Sequence, residues 1–134
     1  DGAEQLTAQR VLVAAGCQDH AVPLPGWTLP GVMAAGGIQA LLKGQNMVAV
    51  ERLLFAGTHP LMLLIADQVQ SAGAEVAGVL FAQPVPEMLK RLAAHATATR
   101  AGGASLGMAI AALVRLRKAR VPVRFDARLL AIHG

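Results

Sequence analysis

Residues 52–81 constrain the fold more than any other stretch. They open Arg52-Leu-Leu-Phe-Ala-Gly57-Thr-His-Pro60-Leu61, continue as an apolar run to Gly73, and close on Glu75-Val-Ala-Gly-Val-Leu-Phe81. A short apolar run, a glycine turn, a longer apolar segment and a second short run predict strand, helix and strand, the βαβ unit that builds a parallel sheet. The strands are predicted over 52–56 and 75–81. The helix is predicted over 60–72, with Pro60 in its first turn and Gly73 as its stop. Dinucleotides bind on such units when the turn carries three glycines spaced G-x-G-x-x-G. They also need an acidic residue about 20 positions on, for a ribose hydroxyl. Counting from Gly57, the second glycine position holds His59 and the third holds Met62; Phe81 or Ala82 stands at the acidic position. The framework is legible, and the cofactor signature is missing from it.

The rest of the chain reads around this unit. Residues 4–9 alternate weakly and residues 11–15 are apolar, which predicts two strands, the second buried and ended by Gly16. Residues 17–30 form a loop punctuated by Pro23, Pro25, Gly26 and Pro30. A helix is predicted over 31–43, with Val32, Ala35, Ile38, Leu41 and Leu42 on one face and Gly44 as its stop. Beyond Phe81, a helix runs from near Pro86 to about Ala98 with a stripe of Met88, Leu89 and Leu92. Residues 100–103 read as a flexible break. A further helix over 104–119 carries Leu106, Ile110, Leu113, Val114 and Arg117, and strands over 121–125 and 128–132 close the chain. An opening strand pair without an obvious partner, and a final strand without a cap, read as a piece of a longer protein.

At 134 residues the length suits one domain. Hydrophobic residues at 54% against 15% charged give enough apolar surface for a core. Aromatics at 3%, with no Tyr, leave that core to Leu, Val, Ala, Ile and Met. The formal charge is +4 and the basic side chains gather late, at Arg115, Arg117, Lys118, Arg120, Arg124 and Arg128. No aromatic residues are interleaved for base stacking, and Arg117, Lys118 and Arg120 suit a helix C-terminus, so nucleic acid is not an expected partner.

A single cysteine, Cys17, excludes an internal disulfide and a multi-cysteine metal site and fits a reducing, cytoplasmic setting. His20, His59, His95 and His133 lack metal-ligand spacing. The polar start gives no signal peptide, and no apolar run is long enough to span a bilayer. Asp19 and His20 are neighbours in a loop with no accompanying nucleophile. Trp27 reads as the anchor of its loop on the core.

Four segments in order carry a family resemblance. They are Val11-Leu-Val-Ala-Ala-Gly16, Pro23-Leu-Pro-Gly-Trp-Thr-Leu-Pro-Gly-Val32, Leu53-Leu-Phe-Ala-Gly-Thr-His-Pro-Leu61 and Gly73-Ala-Glu-Val76. Together they resemble the middle of a two-dinucleotide-domain flavoprotein of the pyridine-nucleotide-disulphide oxidoreductase superfamily. Within it they are most similar to the FAD-binding subunit of opine oxidase, hydrogen cyanide synthase and dye-linked proline or hydroxyproline dehydrogenases. The resemblance implies an α/β fold, a Rossmann-like βαβ dinucleotide-binding-type domain with a short flanking strand pair. It places residues 1–30 at the edge of an FAD domain and residues 31–134 in an NAD(P)-binding-like domain. It implies FAD in a parent oxidoreductase acting on an amino-acid- or opine-like amine, with this piece inactive alone. The remainder of that flavoprotein and a second oxidoreductase subunit are the implied partners. The alternative is a non-catalytic, degenerate nucleotide module serving as scaffold or subunit contact.

The resemblance also names site residues. Gly16 ends the strand that passes near FAD, with Ala15 where threonine is usual; it reads equally as a simple turn glycine. The family's own FAD glycine motif lies outside this sequence. Gly57, Thr58, His59 and Pro60 occupy the family's Gly-x-Gly-Pro turn in degenerate form. His59 puts a side chain where backbone should meet pyrophosphate, so NAD(P) is not an expected ligand. Against that, the helix N-terminus offers N–H groups and a protonated His59 would add charge. Disulphide reductases use a cysteine pair, and Cys17 has neither a second cysteine nor a flanking cation, so it reads as a structural thiol.

Overall fold

The computed structural model describes every residue except Asp1, Glu4, Leu6, Cys17, Ala49 and Thr99, and gives no side-chain account of Leu92 or residues 95–105. The elements in order are α1 (Ala35–Gln45), β1 (Arg52–Gly57), α2 (Leu61–Ser71), β2 (Glu75–Phe81), α3 (Val85–Ala98), α4 (Arg100–Lys118) and β3 (Val123–Arg124). The strands form one parallel sheet in the order β1-β2-β3. The architecture is α/β.

Each connection between parallel strands is helical, as parallel pairing requires. The β1–β2 register runs Leu53 to Val76 and then Leu54 to Gly78, so Ala77 is an extra residue that bulges β2. Gly78 lets β3 approach: a Cβ there would lie 3.3 Å from both Leu54 Cδ1 and the Pro122 carbonyl oxygen. That approach lets Val79 N–H donate to the Pro122 carbonyl at 2.9 Å.

Helix α2 is the centre of the molecule. Met62, Leu63, Ile65, Ala66 and Val69 are buried on it, between the sheet and α4. Its end is a Schellman turn: Gly73, at φ +97°, donates to Gln70 O, and Ala74 donates to Val69 O. Helix α4 ends the same way without a glycine. Arg120 sits at φ +61° and donates to Arg117 O, while Val121 donates to Leu116 O. Helix α1 lies beside α2 through Ile38, and Gln39 Nε2 donates to Gln68 Oε1 at 3.2 Å.

One face of the sheet is covered, and the other is not. Phe55, Val76, Val79 and Phe81 belong to the core, whereas Leu54 on the alternate position of β1 is 54% exposed. Parallel sheets ordinarily have both faces covered.

Several sequence expectations do not hold. Residues 5–16, apart from the undescribed Leu6, form no strand, and the apolar run is exposed, Leu12 at 92%. The physical reason is that this sheet offers that run no partner strand. Residues 128–132 are likewise irregular, and β3 is shorter than the predicted 121–125. Helix α1 begins four residues later than predicted, because Gly31 takes φ +89° and Ala34 is still extended. It passes through Gly44 and stops at Asn46, a residue type that tolerates its left-handed φ of 51°.

Residues 100–103 are helical, not a break. In α3 Met88 is buried but Leu89 is exposed. In α4 the buried face is Ala109, Ala112 and Leu116, which leaves Ile110 and Val114 outside. Small alanines let α4 approach α2 closely, and a helix apolar on several faces hides which one is used. Trp27 is partly exposed and outside the core cluster. The expectation for Cys17 falls outside the described residues.

Candidate functional site

The candidate site lies where the strands end, at the C-terminal edge of the sheet. Gly57 closes β1, and Thr58, His59 and Pro60 carry the chain into α2. The end of β2 lies alongside, since Ala82 N–H donates to the Gly57 carbonyl at 3.0 Å. Ligands of open parallel sheets bind outside this edge.

The turn is internally bonded. Leu61 N–H donates to His59 Nδ1 at 3.1 Å. This is the bond that an Asn or Asp side chain makes to the residue two positions on. Met62 N–H donates to the His59 carbonyl and Leu63 N–H to the Pro60 carbonyl. Pro60 has no N–H. The first N–H groups of α2, those that would receive a phosphate, therefore all have partners within the turn. This corrects the expectation that the helix N-terminus is open to an anion. It also fixes what His59 does: an accepting Nδ1 is the unprotonated nitrogen, so the ring carries its proton on Nε2, and a doubly protonated ring could not make this bond.

Gly57 does not owe its presence to backbone conformation, since its φ is not positive. A Cβ there would stand 2.9 Å from Met62 Sδ. The side chain at the third glycine position thus packs against the first.

The acidic position is also accounted for. Phe81 is fully buried and stacks on Phe125, with ring centroids 5.2 Å apart and planes 13° from parallel. Two residues on, Gln83 Nε2 donates to the Thr58 carbonyl, and Gln83 Oε1 is buried without a donor among the described residues. Gln83 was missed by sequence reasoning; its only signal is its place just past β2. Gly16, by contrast, takes φ +71° in open space, with nothing within 4 Å of the position a Cβ would take. It meets no other part of the site there.

Two further features escaped the sequence. Asp67, buried on α2, accepts from Arg115 of α4 at 2.9 Å from Nε and 2.7 Å from Nη2. The hydrogen bond to Asp67 chiefly raises the Arg115 pKa; desolvation opposes it and the carboxylate's charge assists. The residues are 48 apart, so no local pattern announces the pair. Asp19, read as one half of a loop dipeptide, accepts the Gly36 N–H and so caps α1 from outside the helix. A cavity of about 380 Å³ lies at the opposite, N-terminal edge of the strands, lined by Val48, Val50, Glu51, Ala72, Gly73 and Ala74. Among the described residues no cluster of three or more His, Cys, Asp or Glu could hold a metal, and no helix is long and apolar enough to cross a membrane.

No protein-family model matches the chain, and no solved structure matches it significantly. Curated proteins do. The chain is 39% identical over 88 residues to the hydrogen cyanide synthase subunit HcnB of Pseudomonas protegens, covering 66% of this chain and 19% of that protein. It is 48% identical over 69 residues to the HcnB subunit of Pseudomonas aeruginosa, covering 52% of this chain and 15% of that protein. An opine oxidase subunit of Rhizobium meliloti is 43% identical over 72 residues, covering 54% of this chain and 16% of that protein. The chain therefore matches less than a fifth of the length of these relatives. It is a partial homologue of the HcnB subunits of hydrogen cyanide synthase and of the corresponding opine oxidase subunits, as its motif segments indicate.

Proposed function

We propose that this chain is the NAD(P)-binding-like region of a flavin-dependent oxidoreductase. Residues 31–134 form its Rossmann-like domain, and residues 1–30 form the edge of an FAD domain. The observation that carries the reading is the conjunction of fold and kinship. Three parallel strands ordered β1-β2-β3, with a glycine turn at the end of β1, are the first half of a dinucleotide fold. The same stretch is related to an oxidase subunit and a synthase subunit. The parent enzyme oxidises an amino-acid- or opine-like amine. FAD, held by glycines outside this sequence, supplies the two-electron chemistry.

Gly16, Gly57, Thr58, His59 and Pro60 are the proposed descendants of cofactor contacts. Gly16 would face FAD only with the rest of that domain around it. The partners are the remainder of the flavoprotein and a second oxidoreductase subunit. The uncovered apolar groups support this: Val11, Leu12 and Val13 ahead of the fold, and Leu54 on the open sheet face, are surfaces that a larger protein would cover. The setting is cytoplasmic, on the strength of the single cysteine.

The internally bonded turn favours a second reading of this region alone, as a scaffold or subunit-contact module within the enzyme. The test is an absorbance spectrum. The complete polypeptide containing this sequence, purified with its partner, should show flavin bands with about one FAD per chain, and the 134-residue chain alone should be colourless. A colourless complete protein, or stoichiometric flavin on the short chain, would overturn the reading.

A further inference from the structure

We infer that the Gly57 turn is closed to a dinucleotide by the chain's own groups, with the His59 ring standing in for phosphate. This rests on the nucleotide-module reading only in naming the excluded ligand; the closure is read from contacts within the chain. A pyrophosphate at such a turn requires backbone N–H groups at the helix start and a turn free of side chains. Here the Leu61 N–H is taken by His59 Nδ1, and the next two N–H groups bond to the carbonyls of His59 and Pro60.

The space is taken as well. Met62 Sδ reaches to 2.9 Å from where a Gly57 Cβ would be. The ribose edge of the site carries no acid: Phe81 faces the core, and the Gln83 amide is spent on the Thr58 carbonyl. That last contact ties the turn to the end of β2, so the turn cannot swing away from the sheet without breaking it. The fit of NAD(P) to these residues fails at the pyrophosphate and again at the ribose. His59 is then not a charged attraction for phosphate but a neutral cap that replaces it.

Amide exchange and ¹⁵N NMR on the 134-residue chain test this, with inorganic pyrophosphate and NADH as probes. His59→Gly should speed exchange at Leu61 roughly two- to tenfold, the range for one net hydrogen bond. Exchange at Val79, bonded to Pro122 in the sheet, should not change. His59→Asn should restore the protection, because an Asn oxygen can accept the same N–H. Neither probe should shift residues 57–63 of the wild-type chain at concentrations up to ~1 mM. Unchanged Leu61 exchange in His59→Gly, or saturable shifts in the wild-type turn, would overturn the inference. If His59→Gly also loosens Val79, the wild-type imidazole decides: a proton on Nε2 supports the closure and a proton on Nδ1 refutes it. The flavin content of the complete protein is untouched by any of these outcomes, so the two readings fail separately.

Discussion

The most exacting consequence concerns Phe81, the position where a working dinucleotide site would carry its acidic residue. Phe81→Glu looks from sequence like a repair of the ribose contact. The structure makes it a core mutation, because Phe81 is 0% exposed and stacked on Phe125. Removing a buried phenylalanine costs about 3–5 kcal/mol through lost transfer energy and the cavity left behind. The ring pair contributes roughly a further 0.5–1.5 kcal/mol. The carboxyl must then be buried or drag β2 outward, which adds to the loss.

A total of at least ~4 kcal/mol is a large share of the roughly 5–15 kcal/mol that holds a domain folded. With a urea slope of about 1–3 kcal/mol per molar, the unfolding midpoint should fall by roughly 1.5–4 M, or the variant should not fold at all. Urea unfolding followed by far-UV circular dichroism reads this directly. Phe81→Leu should lose much less, since it keeps an apolar side chain of similar reach. A Phe81→Glu variant that folds with an unchanged midpoint would refute the placement of this side chain in the core.

Three other substitutions have defined outcomes. Asp19→Ala should destabilise α1 by about 0.5–2 kcal/mol, the usual value of a cap, read as faster amide exchange at Gly36 and Gly37. Arg120→Gly should leave stability unchanged or raise it by up to ~1 kcal/mol. It relieves a left-handed backbone worth roughly 1–2 kcal/mol and gives back part of that in unfolded-state entropy; a drop in thermal midpoint would count against the Schellman turn at α4. Arg115→Ala should destabilise the chain by leaving Asp67 buried without its partner. Because the Arg115 pKa is raised, its contribution is complete below the ordinary arginine value and is lost only as pH rises through the still higher folded value. The stability gap between wild type and Arg115→Ala should therefore hold from about pH 7 to pH 11; a gap that closes by about pH 10 would contradict the pairing.

The sequence was most informative where local signals agreed. Residues 52–81 combine two apolar runs, a helical stretch and Gly73 at a position with φ +97°, and strand β2 falls on the predicted residues. It was least informative where structure depends on something remote. Residues 11–15 have the pattern of a buried strand, yet a pattern cannot supply the neighbouring strand, and here they are exposed. The cap on α1 comes from Asp19, 17 residues from its partner Gly36, so nothing near the helix start reveals it. Helix α4 stops on Arg120, where the usual glycine signal is missing.

At the site, the absent glycines and the absent acid could be read directly from His59, Met62 and Phe81. That His59 accepts a bond from Leu61 rather than merely obstructing could not be read, because it depends on the ring's rotamer and tautomer. Gln83 was invisible for a similar reason: its partner is a backbone carbonyl 25 residues away.

The most direct measurement is anaerobic reduction of the flavin in the complete protein that contains this chain. An amino-acid- or opine-like amine should bleach the flavin spectrum. NADH and NADPH should leave it oxidised, because the Gly57 turn cannot seat a dinucleotide. Rapid bleaching by NADH or NADPH, abolished by a substitution within residues 57–62, would contradict both the closed turn and the function built on it.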